Sequence, residues 1–253
     1  MEYFIITGAS RGLGNSLCKM LASIESTVIC ISRHRNNATM EILKRKCFSV
    51  EWIEIDFLNH SVLELELVSV LSKYKYSNHD KLILINNAGQ LQPIGELYNV
   101  STTELLSNVS VNLIAPTILS KSILNFAIAK KLALFIVNVS SPSADIPKSN
   151  WIVYGMSKCG LNYLTSAIAT EYKNKKDIKI ISFYPGIMDT DMRKVNLATR
   201  PLWQKIVDWF KFKLFNHSTR KVITSDEAAR KLIKVLNSTY IKNGAIIDSQ
   251  KIS

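Results

Sequence analysis

Tyr154 and Lys158 stand four residues apart in the stretch NWIVYGMSKCGLNYL (150–164), whose apolar spacing is that of an amphipathic helix. Residues at this separation share one helix face, one turn apart. A phenol with a pKa near 10 is a poor acid–base catalyst at neutral pH. An ammonium group beside it stabilises the phenolate and lowers that value, which makes the tyrosine a usable proton donor. A drop of about three units takes roughly 4 kcal/mol of differential stabilisation, a magnitude that belongs to a water-poor cleft. The same pair also occurs as ordinary surface decoration, so its company decides.

The first of that company is TGASRGLGNSL, at the end of the first apolar run. Thr7 closes a strand and Gly8, Gly12 and Gly14 make a turn, with Ser10, Arg11 and Leu13 between them. A helix follows. Glycines at a strand-to-helix turn let the backbone approach a pyrophosphate, whose charge the helix N-terminus holds. The spacing is G-x-x-x-G-x-G rather than the commoner G-x-G-x-x-G, and three glycines alone are a weak signal. Their position at the first strand–helix junction is what points to a dinucleotide. About 20 residues downstream, where an acid would bind the ribose hydroxyls of NAD, the second strand ends in ISRHR. Arg33 and Arg35 there would repel nothing and could pair with a 2′-phosphate, and Arg11 in the turn agrees. NADP is therefore favoured, with solvated loop charges as the plainer alternative. Asp56, followed by Phe57, ends the third strand; it either meets the adenine amino group or caps the next turn.

These residues need a scaffold, and the rest of the chain supplies one. Apolar, β-branched runs recur at 3–7, 27–31, 50–55, 81–86, 132–139, 179–184 and 244–248. Runs this continuous predict strands buried on both faces, as in a parallel sheet covered by helices. Helical stretches lie between them at about 12–24, 38–47, 61–76, 101–129, 151–174 and 225–237. The expected fold is α/β, a Rossmann-type doubly wound parallel sheet of about seven strands with helices on both faces. No linker or repeat interrupts it, so residues 1–253 read as one domain. Residues 190–224 break the alternation without a strand of their own. Within them PLWQKIVDWFKFKLF (201–215) has helical apolar spacing, with Lys205, Asp208 and Lys211 on the opposite side.

Taken together and in order, TGASRGLG, NNAG (86–89), Asn112, NVSS (138–141), YGMSK (154–158) and PGIMDT (185–190) resemble the short-chain dehydrogenase/reductase family, over nearly the whole chain. The resemblance implies that Tyr154 gives a proton to a substrate carbonyl while a hydride leaves the nicotinamide. Lys158 would hold the ribose hydroxyls and depress the tyrosine pKa. Ser141 would polarise the carbonyl oxygen, with Ser140 competing for the role because Pro142 could reset the loop. Asn112 would keep a water in the proton relay. Asn86, Ala88 and Gly89 would line the cofactor, and Pro185, Gly186, Ile187 and Thr190 would grip its carboxamide end.

A closer likeness, carried by MEYFIITGASRGLG, NNAG before QPIGE, NWIVYGMSK and SFYPGIMDTDM, is to the branch holding bacterial benzil reductases and sepiapterin reductases. That likeness implies NADPH and a substrate with vicinal or side-chain dicarbonyls. Asp248, in GAIID, stands where such enzymes set an acid against a pterin ring, or simply ends an edge strand. Trp151 and Trp203 are further substrate candidates beside Ser141. Segment 190–224 would be a lid over the substrate, presenting Trp203, Trp209 or Phe210 to a flat ring; a membrane-surface helix and a dimer contact are its other readings. The family implies a homodimer or homotetramer.

The totals fit. Apolar residues make up 47% of the chain and charged ones 21%, enough for a sizeable core and ordinary for a globular protein. No window has the roughly 18 uninterrupted apolar residues of a spanning helix. EYFIIT runs into the glycine turn without a basic n-region or cleavage site, which predicts a cytoplasmic protein. Cys18, Cys30, Cys47 and Cys159 show no metal-ligand spacing; four buried thiols fit better than two disulfides, and no metal site is expected. The net charge of +12 is concentrated between residues 193 and 221, where eight basic residues face one acid, Asp208. A nucleic-acid partner would use such charge, yet no recognition motif accompanies it. A non-catalytic nucleotide sensor is the other alternative, and it has no need of Ser141, Tyr154, Lys158 and Asn112 together.

Overall fold

The computed structural model describes residues 1–189, 222–238 and 240–252. Strand and helix alternate from the start: β1 (Glu2–Thr7), α1 (Gly12–Leu21), β2 (Ser26–Ser32), α2 (Asn37–Lys46), β3 (Ser49–Glu54), α3 (His60–Ser72) and β4 (Lys81–Asn86). After β4 come α4 (Thr102–Val109) and α5 (Ala115–Lys130), then β5 (Ala133–Val139), α6 (Ile152–Glu171) and β6 (Ile178–Tyr184). The described chain closes with β7 (Ile187–Met188), β8 (Val222–Ile223), α7 (Ser225–Leu236) and β9 (Ile246–Asp248). Seven strands form one parallel sheet in the order β3-β2-β1-β4-β5-β6-β9.

The alternation of side chains along each strand explains why the strands read as unbroken apolar runs. In β1, Tyr3 and Ile5 join the cluster under α3 and α5, while Phe4 and Ile6 join the one under α1 and α7. Leu82 and Leu84 in β4 divide from Ile83 and Ile85 in the same way. Successive residues point to opposite faces, so a strand covered on both sides must be apolar at every position. Each fully buried Ile or Leu contributes about 1.5–3 kcal/mol relative to exposure.

Parallel register puts every strand's C-terminal end on one edge of the sheet. Thr7, Ser32, Glu54, Asn86, Val139, Tyr184 and Asp248 end there. The chain runs outward from β1 in both directions, to β2 on one side and β4 on the other, and a crevice opens where the two directions part.

Three expectations are corrected. Helix 101–129 is not uniform: Ser110–Ile114 is a π turn, in which the Ala115 N–H reaches back to the Ser110 carbonyl. Segment 190–224 does have a strand, because Val222–Ile223 pairs in parallel with Ile187–Met188. The four cysteines are not all buried. Cys159 is exposed and Cys47 half-buried, while Cys18 and Cys30 are buried with their sulfurs 3.6 Å apart. Residues 190–221 of the expected lid, including its helix at 201–215, Thr190 and Trp203, lie outside the described residues.

The composite helix from Thr102 to Lys130 is long and apolar enough to cross a membrane by composition. Ala115, Leu119, Ile123 and Ala127 instead pack into the core beneath the sheet.

Candidate active site

A cavity of about 1130 Å³ runs along the C-terminal edge of the sheet, from the glycine turn to Tyr154. Gly8, Ser10, Arg11, Gly12 and Leu13 line one end. Gly8 has φ +67°, and a methyl on it would lie 2.9 Å from Asn87 Nδ2. A methyl on Gly14 would collide with the Gly8 carbonyl, so Gly14 serves the turn's closeness and does not itself line the cavity. Neighbouring asparagines hold this shape. Asn36 caps α2 by accepting from the Thr39 N–H (3.0 Å) and donates from Nδ2 to the Ser10 carbonyl (2.9 Å). Helix α1 has no side-chain cap and no acid in its first turn. A helix start of this kind suits an anion.

Arg33, Asp56 and Phe57 line the cavity beside the glycine turn. Asp56 uses Oδ1 to cap its own turn, accepting from the Leu58 N–H at 3.1 Å. Arg35 points elsewhere: its Nε lies 3.3 Å from Glu54 Oε1. Of the two arginines ending β2, only Arg33 faces the crevice.

Asn86 is a correction. It was expected to line the cofactor, but it is 1% exposed and donates from Nδ2 to Asn138 Oδ1 (2.8 Å) and Ser120 Oγ (3.3 Å) beneath the sheet. Asn87, Ala88 and Gly89 line the cavity instead. Asn87 Nδ2 donates to the Thr7 carbonyl (2.9 Å), and Thr7 Oγ1 accepts from the Asn87 and Ala88 N–H groups (2.9 Å each), tying the end of β1 to that of β4.

At the far end, Tyr154 and Lys158 are 7% and 4% exposed. Lys158 Nζ donates to the Val139 carbonyl at 2.9 Å and lies 5.8 Å from the Tyr154 ring centroid. Burial lowers Lys158 to about 8. Burial likewise pushes Tyr154 above its ordinary value, and a hydrogen bond from the Ser141 hydroxyl pulls it back only in part. The expected lowering of the tyrosine is therefore not produced by the chain's own groups. Taking a phenolate out of water outweighs one hydroxyl donor. The two serines divide clearly: Ser141 meets the phenol, whereas Ser140 Oγ donates to the Lys158 carbonyl at 3.4 Å.

Asn112 is wholly buried and does not line the cavity. Its Oδ1 accepts from the Gln90 N–H (2.8 Å), and its Nδ2 is shared among the Gln90 carbonyl (2.8 Å), Asn108 Oδ1 (2.9 Å) and Ser157 Oγ (3.1 Å). The side chain thereby joins the NNAG loop to α6. Pro116, four residues on, has no N–H to offer the Asn112 carbonyl. Asn112 and Pro116 at this spacing are the sequence signal for the irregular turn.

The loop bearing Ser141 is strapped to the end of β6. Ser140 N–H donates to the Phe183 carbonyl at 2.8 Å. Tyr184 OH donates to Asp145 Oδ2 at 2.6 Å and accepts from Asn162 Nδ2 at 2.6 Å. Tyr184→Phe removes the second strap, so kcat for any carbonyl substrate should fall about tenfold, one lost charge-assisted hydrogen bond. Titration with NADPH should show unchanged binding; a loss of binding with unchanged kcat would reverse the assignment.

Pro185, Gly186, Ile187, Trp151 and Asp248 complete the wall. Trp151 stands edge-on to Tyr154, with centroids 5.7 Å apart at 89°, and Lys148 lies 4.5 Å over its ring. Asp248 Oδ1 caps the final turn through the Gln250 N–H at 3.0 Å. Lys148, Gln90, Ser107 and Gln250 line the cavity without any motif to announce them. Among the described residues no group of three or more His, Cys, Asp or Glu is placed to hold a metal.

The family model for short chain dehydrogenases matches residues 2–201. The chain belongs to this family. Among short chain dehydrogenases it is 32% identical over 194 residues to a benzil reductase ((S)-benzoin forming) of Bacillus cereus, covering 76% of this chain and 78% of that one. It is 27% identical over 258 residues to sepiapterin reductase of Bos taurus, covering 96% and 92%. A 3-oxoacyl-[acyl-carrier protein] reductase of Brucella melitensis in complex with NAD has the same fold, with a TM-score of 0.81 at 19% identity over 98% and 95% of the two chains. Membership makes the protein an oxidoreductase acting on CH–OH or C=O groups of a small molecule, with a nicotinamide dinucleotide as cofactor. The site fits that group: a glycine cradle that a single methyl would fill, an uncapped helix terminus facing it, and a cavity continuous to Tyr154.

Proposed function

We propose that the protein is an NADPH-dependent carbonyl reductase that converts one ketone of a diketone-like substrate to the hydroxyketone. The observation that carries this is Ser141, Tyr154 and Lys158 meeting at one end of a cavity whose other end is the glycine turn. When bound, the nicotinamide supplies a hydride to the carbonyl carbon. Tyr154 delivers its phenolic proton to the carbonyl oxygen. Its raised pKa suits that direction, since the phenol stays protonated at neutral pH and is available as an acid. Ser141 donates to the same oxygen as negative charge builds there. Lys158, cationic at neutral pH, stabilises the phenolate left behind and binds ribose hydroxyls. Asn112 acts through the loop it holds.

NADPH rather than NADH rests on Arg33 and Arg11 lining the adenine end of the cavity, at a strand end carrying no acid. Arg33→Ala should weaken NADPH binding by about 10–100-fold, the value of a charge-assisted hydrogen bond, and NADH binding far less. Equal losses would undo the 2′-phosphate assignment.

The test is NADPH oxidation with benzil, an aliphatic α-diketone and sepiapterin in parallel, repeated with NADH. Benzil turnover supports the diketone reading. Sepiapterin turnover alone would favour a pterin side-chain reductase, a second reading supported by Asp248 on the cavity wall. Tight NADPH binding with no turnover would leave a nucleotide sensor.

A further inference from the structure

Gln90 and Ser107 line the cavity on the wall formed by the NNAG loop and α4. Gln90 Nε2 donates to Ser107 Oγ at 3.0 Å. Both side chains are half-buried. What separates this pair from a surface contact is how firmly its backbone is held. The Gln90 N–H donates to Asn112 Oδ1, and the Gln90 carbonyl accepts from Asn112 Nδ2 (2.8 Å each) and from Asn108 Nδ2 (3.2 Å). Asn108 also donates to the Gln92 carbonyl at 2.6 Å. Asn108 and Asn112 are themselves fully buried, one turn apart on α4 and the π turn. Two buried amides thus fix one loop residue whose side chain faces the cavity.

We infer that Gln90 and Ser107 form a polar subsite that recognises the second oxygen of the substrate. This deepens the reductase reading above and rests on it. The subsite flanks the reacting end: a methyl on Gly89, next to Gln90, would lie 3.5 Å from Lys158 Nζ. It offers donors whichever way the amide is turned. With Nε2 toward Ser107, the serine hydroxyl hydrogen and the second amide N–H have no partner among the described residues. With the amide reversed, Ser107 donates to the Gln90 oxygen and both N–H groups are left. A carbonyl oxygen next to the one being reduced is the acceptor such donors take. Leu91 and Val111, on the same wall, suit the apolar remainder of an aryl diketone. A substrate lacking the second oxygen leaves half-buried donors unpaired, and such sites discriminate strongly against it.

The experiment compares benzil with deoxybenzoin, the same skeleton without the second oxygen, in the wild type, Ser107→Ala, Gln90→Leu and Ser107→Thr. Benzil is intrinsically the more reactive ketone, so the informative quantity is how the ratio of kcat/KM values changes. In Ser107→Ala and Gln90→Leu the benzil value should fall about tenfold or more beyond any fall for deoxybenzoin. Ser107→Thr, which restores the hydroxyl, should recover most of the ratio. Equal losses on both ketones, or an unchanged ratio, overturn the subsite while leaving the reductase standing. A wild type that reduces other carbonyls but not benzil also overturns it. A wild type that binds NADPH and reduces nothing overturns the reductase reading and the subsite together.

Discussion

Tyr154→Phe should lower carbonyl reduction by about 10³-fold, within the range of a lost general acid, equivalent to roughly 4 kcal/mol of transition-state stabilisation. NADPH binding should stay within about threefold, because the proposed contacts to the dinucleotide come from the glycine turn, Arg33 and Lys158. The fold should not suffer. The phenylalanine ring keeps the edge-on contact with Trp151, and the hydroxyl it lacks is one that burial disfavours in its ionised form. The decisive pair of measurements is single-turnover hydride transfer and NADPH titration on the same preparation. A variant that still turns over at a tenth of the wild-type rate removes the tyrosine from the mechanism.

Lys158→Met should reduce both NADPH affinity and turnover, since one ammonium group serves the ribose and the phenolate. Its stability signature is as specific. Burial holds Lys158 at about 8, against an ordinary value of 10.5. The folded state therefore carries a cost of about 3 kcal/mol for the buried charge at neutral pH. The sign follows from proton binding. Below pH 8 both folded and unfolded lysines are charged and the cost is fully present. Between pH 8 and 10.5 the unfolded chain binds more protons than the folded one, so the wild type gains stability as pH rises. The methionine variant has no such gain. It loses the bond to the Val139 carbonyl, worth about 1–3 kcal/mol when left unmade, so its net stability at pH 7 should lie within about 2 kcal/mol of wild type. Relative to wild type it should then decline as pH climbs past 8, read by denaturant unfolding. A parallel pH dependence for the two proteins would mean that the lysine is not buried as described. In the free wild-type enzyme kcat/KM should also fall above pH 8, as the ammonium is lost.

Some of this site was legible in the sequence and some was not, and the division follows residue geometry. The pairing of Tyr154 with Lys158 is a local fact, because helix periodicity puts i and i+4 on one face whatever the surroundings. The glycine turn was equally readable, since only glycine tolerates a positive φ against the NNAG backbone. By contrast, NNAG and NVSS each identify a strand end to within one residue, and at a strand end one residue reverses the face. That is why Asn86 lies under the sheet while Asn87 lines the crevice, and why Ser141 rather than Ser140 meets the phenol.

From the chain alone came the α/β alternation, the glycine turn, the Tyr154–Lys158 pair and the basic end of β2, all set by local spacing and residue type. Tertiary structure alone decided that Arg33 faces the cavity while Arg35 pairs with Glu54, that Asn112 holds Gln90, and that Tyr184 straps the Ser141 loop. Those contacts join residues 19 to 39 apart in the chain across different elements. They exist only because sheet order and helix packing bring the elements together, and no periodicity along the chain records which side chains then meet.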